Sequence, residues 1–168
     1  CETSLSESEI LNYINAYLPH DIRVLSLCAC DERFHSRLNA KGKRYSYTVS
    51  VGKPSVFKRK YVYAAYKMPS IEKMKAAAKL LCGTHDFLGF SSLKKTKKST
   101  VRTVYSIDIT QNGNEIIFSF RGSGFLYNGV RILAGTLYEI GIGTKDISDI
   151  KTVFETKNRE KAGATLPP

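Results

Sequence analysis

Residues 102–124 read Arg102-Thr103-Val104-Tyr105-Ser106-Ile107-Asp108-Ile109-Thr110-Gln111-Asn112-Gly113-Asn114-Glu115-Ile116-Ile117-Phe118-Ser119-Phe120-Arg121-Gly122-Ser123-Gly124. Two runs alternate apolar and polar residues, as a half-buried strand does. Thr103, Tyr105, Ile107 and Ile109 fall on one side of the first run, and Ile116, Phe118 and Phe120 on one side of the second. Between them Asn112-Gly113 is a strong hairpin signal, because both residues tolerate the positive φ that a tight hairpin turn needs. Gly122-Ser123-Gly124 then breaks the second strand. An apolar stretch from about Phe125 to Ile140 follows and is predicted as a helix ended by Gly141 and Gly143. Its apolar arc is too wide for a surface helix, so it is expected deep against the sheet.

Outward from this hairpin, Ser70 is predicted to cap a helix running through Leu81, with Ile71, Met74, Ala77, Ala78 and Leu81 as its buried stripe. Lys43 to Val51 is a clear strand, with Tyr45, Tyr47, Val49 and Val51 on one face and Arg44, Ser46, Thr48 and Ser50 on the other. Ile22 to Ala29 and Lys60 to Ala65 also read as strands. Residues 7–17 form a short, weakly amphipathic helix that stops at Leu18-Pro19. Asp146 is expected to cap a last helix carrying Ile147, Ile150, Val153 and Phe154. A hairpin with helices outside it implies an α+β fold: a predominantly antiparallel sheet with helices packed on one face.

The chain has 168 residues, the length of one ordinary domain, and is 42% hydrophobic and 24% charged, which excludes a disordered chain. No apolar run approaches the roughly 18 residues of a membrane span. Cys1, Cys28, Cys30 and Cys82 suggest no disulfide framework, so a reducing cytosol, and a cytoplasmic location, are expected. Cys28, Cys30 and His35 lack a fourth ligand and the usual two-residue gap between cysteines. They read better as small side chains on a strand face than as a zinc site.

Twenty-six Lys and Arg against fifteen Asp and Glu give a net charge of +11, which raises the expectation of a polyanionic partner. The basic residues cluster at Lys41, Lys43 and Arg44, at Lys58, Arg59 and Lys60, and most densely at Lys94, Lys95, Lys97, Lys98 and Arg102. Two groups are interleaved with tyrosines, at Arg44-Tyr45-Ser46-Tyr47 and Lys60-Tyr61-Val62-Tyr63. That pattern suits phosphates and unstacked bases, and equally suits solvated basic faces beside core tyrosines. Gly122, Gly124 and Gly129 follow a strand and open a helix, but their spacing and the hairpin context do not fit a dinucleotide fingerprint. Arg131 sits among Val130, Ile132, Leu133 and Ala134. A buried guanidinium without a partner is too costly, so a carboxylate or phosphate partner is expected, with an arginine snorkelling from the rim as the plainer reading. His85-Asp86 could serve acid–base chemistry, but such a pair more often braces a turn.

Taken together, the segments resemble the TruA family of tRNA pseudouridine synthases. Leu18-Pro19-His20-Asp21-Ile22, with Asn15 ahead of it, is similar to the family's LPxDI segment. Phe34-His35-Ser36-Arg37, then Ala40 and Lys43-Arg44-Tyr45-Ser46-Tyr47, resemble its FHAR…A…(K/R)xYxY run. Gly83-Thr84-His85-Asp86-Phe87 through Phe90 resembles GxHDFxxF, and Arg102-Thr103-Val104 stands where the family has R-T-I before a strand. The stretch Gly124-Phe125-Leu126-Tyr127-Asn128-Gly129-Val130-Arg131, with Gly135-Thr136-Leu137 and Gly141, resembles GFLYNMVRxxxGTLxxVG. Lys157-Asn158-Arg159 with Ala162-Gly163-Ala164-Thr165 resembles KDR…AGxTAP.

The resemblance implies isomerisation of uridine to pseudouridine on the 3′ side of the tRNA anticodon stem-loop, with no cofactor and no metal. An Asp in a GRTDxGVHA motif acts on a flipped-out nucleotide. A Tyr that stacks on the base and takes its C5 proton falls on Tyr45, and the Arg that pairs with the Asp falls on Arg131. Lys41, Lys43, Arg44, Lys94, Lys95, Lys97, Lys98 and Arg102 would hold RNA phosphates. A homodimer is implied for the intact protein. The GRTD motif and the family's final GLxLxxV strand are absent from these 168 residues, which begin at Cys1 rather than Met. Gly129 stands where Met is common, and Ser36 where Ala is common. Residues 1–168 are therefore expected to be a single partial domain, truncated at both ends and inactive alone. The rival readings are a non-catalytic RNA-binding module and a small basic structural protein.

Overall fold

The computed structural model of the chain describes residues 3–94 and 97–168. The chain divides into two compact units, Cys1–Ala40 and Lys41–Pro168.

In the first unit, α1 spans Glu7–Tyr17 and begins in a capping box: the Ser6 hydroxyl accepts from the Glu9 backbone N–H, and the Glu9 carboxylate accepts from that of Ser6. The helix has no buried residue. The expected strand at 22–29 does not form. A strand needs a ladder, and side chains engage the backbone of Val24 and Ala29 here instead. Asn15 donates to the Val24 carbonyl at 2.9 Å and accepts from its N–H at 2.8 Å, and the Ala29 N–H donates to Glu7.

The second unit holds a five-stranded sheet ordered β2-β1-β5-β4-β3. Its strands are β1 (Lys43–Val51), β2 (Tyr63–Ala65), β3 (Gly83–Asp86), β4 (Val101–Asn112) and β5 (Glu115–Gly122). All neighbours are antiparallel except β1 and β2, so the α+β reading stands with one parallel edge. The run expected as a strand from Lys60 shortens to Tyr63–Ala65. Residues 83–86, expected as a braced turn, form a strand on β4. The β4–β5 hairpin closes with Asn112 opposite Glu115, around Gly113 at φ +56°.

Along β5 the apolar face holds, with Ile116, Phe118 and Phe120 fully buried, although Ser119 on the other face is buried too. Along β4 the face does not hold. The register shifts between Val104 and Ser106, so a bulge inserts Tyr105. Val104 takes the core place expected for its neighbours, while Tyr105 is 53% exposed.

Helix α2 spans Ile71–Leu81 and buries Met74, Ala77, Ala78 and Leu81, as its spacing predicts. Helix α3 spans Gly129–Ile142 and buries eleven of its residues. It begins four residues later than expected, because Asn128 takes the left-handed conformation (φ 58°) and turns the chain into the helix. Helix α4 spans Asp149–Thr156 with Ser148 at its N-cap. Asp146, expected at that place, instead braces the turn ahead by accepting from the Ser148 N–H and hydroxyl.

The end of the chain lies against α3. A Cβ on Gly163 would stand 2.5 Å from the Thr136 backbone N, and one on Gly135 would collide with the Ala164 carbonyl. Only glycine permits this approach. It is secured by the Gly163 N–H donating to the Thr136 hydroxyl at 2.9 Å. Residues 164–168 are thereby carried past the first turn of α3, where Arg131 projects.

Candidate active site

Tyr45 on β1 and Arg131 on α3 line one pocket of about 290 Å³, together with Tyr47, Phe125, Leu126 and Asn128. The walls are built from the core outward. Phe118 stacks on Phe120, and Phe120 meets Phe125 edge-on at 6.5 Å. Phe125 in turn meets Tyr45 edge-on at 5.5 Å. Tyr45 lies opposite Phe120 in the β1–β5 register, so this aromatic row follows from the strand pairing. The last ring of the row is 46% exposed and free to meet a flat ligand.

Arg131 is half-buried and held from two sides. Its Nε donates to the Leu166 carbonyl, and its Nη1 donates to Asn128 Oδ1 at 3.2 Å. The expected carboxylate partner is not found among the described residues; the acceptors are neutral oxygens. A guanidinium held by neutral acceptors keeps its charge for an anion at the pocket. Asn128 also donates through Nδ2 to the Ser92 hydroxyl at 3.1 Å, tying the start of α3 to the segment ahead of the lysine-rich loop.

The sequence alone does not single out Tyr47, although it shares the Tyr45 face two residues on. Its hydroxyl donates to the Pro167 carbonyl at 2.7 Å. Burial pushes its phenol up to about 12, against the opposing pull of Arg131 and with a further push from Tyr63. Tyr47 is thus a neutral wall beside the arginine at ordinary pH. Asn128 had a legible signal, an asparagine at a helix start, where left-handed backbone is tolerated.

The expected RNA-binding residues separate into groups. Lys94, Lys97 and Lys98 line an open depression with Asp86, Ser99, Thr100 and Val101. Lys95 lies outside the described residues. Arg102 turns its Nη1 onto the Ser99 and Val101 carbonyls, at 2.9 and 2.6 Å. Lys41, Lys43 and Arg44 are exposed at the start of β1, but Arg44 faces away from the Tyr45 side and donates to the Ser119 hydroxyl at 3.1 Å.

His85 and Asp86 brace the fold. His85 stacks on Phe154 at 4.5 Å, with Nε2 3.0 Å from the Cys82 carbonyl. Asp86 takes the Thr100 hydroxyl, the Leu88 N–H and the Lys157 ammonium, the last at 2.7 Å. Burial pushes the Asp86 carboxyl up, but these donors outweigh it and hold the group below its ordinary value. Cys28 and Cys30 are exposed free thiols. Among the described residues no helix is long and apolar enough to cross a membrane.

A family model described as tRNA pseudouridine synthase matches residues 77–168. Proteins named tRNA pseudouridine synthase A are similar over most of the chain. That of Anoxybacillus flavithermus is 44% identical over 154 residues, covering 92% of this chain and 63% of its own length. That of Clostridium kluyveri is 41% identical over 166 residues, covering 98% of this chain and 68% of its own. That of Bacillus subtilis is 44% identical over 155 residues, covering 92% and 63%. The chain thus spans 63% to 68% of the length of these relatives. With the motifs in one order along the chain and the tyrosine and arginine on one pocket, the chain belongs to the tRNA pseudouridine synthase family.

Proposed function

We propose that the chain supplies the uridine-facing wall of a cytoplasmic tRNA pseudouridine synthase that isomerises uridine on the 3′ side of the anticodon stem-loop. The observation that carries this reading is the convergence of Tyr45 and Arg131 on one pocket whose floor is aromatic. In it Tyr45 stacks on the flipped base and takes its C5 proton, and Arg131 pairs with the catalytic carboxylate. Lys41, Lys43, Arg44, Lys94, Lys95, Lys97, Lys98 and Arg102 contact phosphates, and the intact enzyme acts as a homodimer without a cofactor.

No carboxylate lines the pocket among the described residues, so the 168-residue polypeptide by itself binds tRNA without turning it over. This observation also supports the second reading, a non-catalytic tRNA-binding module. Asp86 is no substitute, because it is engaged by Lys157 and Thr100 away from the pocket.

Two measurements test the proposal. A tRNA transcript with 4-thiouridine on the 3′ side of the anticodon stem should photo-crosslink to the peptide containing Tyr45 and Tyr47. No binding, or crosslinks only elsewhere, would overturn the pocket assignment. Tritium release from tRNA labelled at uridine C5 should stay at background with this polypeptide; turnover like that of an intact synthase would overturn the claim of inactivity.

A further inference from the structure

The sheet face opposite the core carries a cluster of which only Arg44, from the Lys43–Tyr47 motif and already read as a phosphate contact, is accounted for above. Arg44 on β1 and Arg121 on β5 are directly opposite one another in the antiparallel register, and both are exposed. Like charges facing across a strand pair are destabilising. Among the described residues neither is ion-paired to a carboxylate, and Arg121 makes no side-chain hydrogen bond. Arg44 donates only its Nε, to the neutral Ser119 hydroxyl, so its terminal nitrogens stay available. The carboxylate of the neighbouring row, Asp108, accepts from the Ser106 hydroxyl at 3.2 Å and lies opposite Ser119.

The bulge in β4 adds the third member. It inserts Tyr105 beside the point where Arg121 pairs with Ser106, and turns the ring out of the core. The ring passes over β5 toward β1: its Cε2 lies 3.5 Å from where a Gly42 Cβ would stand, two residues before Arg44. Bulges that re-aim one side chain recur at binding sites.

We propose that Arg44, Arg121 and Tyr105 form a second RNA contact, in which the arginine pair holds a phosphate and the Tyr105 ring stacks on a base of an unpaired stretch. Two guanidiniums beside one exposed ring match the requirements of a single-stranded nucleotide: a diffuse anion and a flat apolar face. The contact rests on the reading above, that the chain binds RNA. It extends that reading from the core side of the sheet to its opposite face.

The test is fluorescence anisotropy of the 168-residue chain with a labelled oligouridylate and a labelled tRNA transcript, titrated with KCl. Y105A should weaken oligouridylate binding about tenfold, and Y105F should restore it. R121Q should lower the slope of log affinity against log salt by about 0.7 on the single strand, and R121K should retain the slope. Circular dichroism checks that each variant is folded. Unchanged affinity in Y105A and an unchanged slope in R121Q would overturn the contact, provided that K94Q/K97Q still flattens the slope. Failure of the unsubstituted chain to bind either RNA at low salt would instead overturn the RNA reading and this contact with it.

Discussion

The pocket corner and the lysine-rich loop are built in opposite ways. At the corner, Tyr45 and Arg131 stand on a packed aromatic row and on a glycine-dependent seam between α3 and residues 163–166. At the loop, Lys94, Lys97 and Lys98 surround an open depression, tied nearby by Asp86, which takes Thr100 and Lys157, and by Arg102, which donates to the Ser99 and Val101 carbonyls. A site that must fit a base needs fixed walls, and packing supplies them. A site that must attract phosphates needs only charge within reach, and a loop supplies that at little structural cost. Damage to the corner should therefore cost stability first, and damage to the loop should cost charge alone.

The most severe break should be Phe120→Ala. The ring is fully buried between Phe118 and Phe125 and lies opposite Tyr45, so truncation should cost about 3–5 kcal/mol by urea denaturation. A loss under about 1 kcal/mol would show that the row does not support the pocket. Gly163→Ala comes next. Its methyl would press on the Thr136 backbone and should cost about 1–3 kcal/mol, while loosening the carbonyl that holds Arg131. A neutral outcome would mean that the seam yields easily.

Titration should separate the two regions at opposite ends of the pH scale. The Tyr47 phenol is raised from an ordinary value of 10.0 to about 12, mainly by burial. A raised pKa favours the neutral form in the fold, so its contribution is complete below pH 10 and is lost as the pH rises toward about 12. Stability should fall more steeply over that range in the unsubstituted chain than in Tyr47→Phe; parallel curves would remove Tyr47 from the corner's support. Asp86 is lowered from 3.8, so its contribution is complete above that value and is lost as the pH falls through its lowered pKa. Asp86→Asn should abolish that acid component, and its persistence would place the component elsewhere.

The smallest effect on stability should come from K94Q/K97Q, within about 0.5 kcal/mol. The same pair should flatten the salt dependence of tRNA binding, lowering the log–log slope by about one for each lysine that neutralises a phosphate. A large drop in stability would show that the loop is a structural element and not merely a carrier of charge.

Local pattern made much of this molecule legible. The core face of β5 and the Ser70-capped helix are each dictated by residues within a few positions and form as expected; the hairpin forms too, but its two-residue turn is Gly113-Asn114, one position on from the Asn112-Gly113 signal. The motifs that carry the family, with Tyr45 and Arg131 among them, are likewise legible in one dimension. Long-range competition decided the rest. Residues 22–29 have the composition of a strand, yet no ladder forms and the Val24 and Ala29 backbone groups are bonded by the Asn15 and Glu7 side chains. Tyr105 has the parity of a core residue, yet one inserted position in β4 moved it to the opposite face. A strand's period is two, so a single bulge reverses every inference of facing beyond it, and only the pairing with β5 reveals that bulge. Arg131 could be known from sequence to need a partner. That its partners are Asn128 and the Leu166 carbonyl followed from the docking of residues 163–166 on α3, which joins segments distant in the chain.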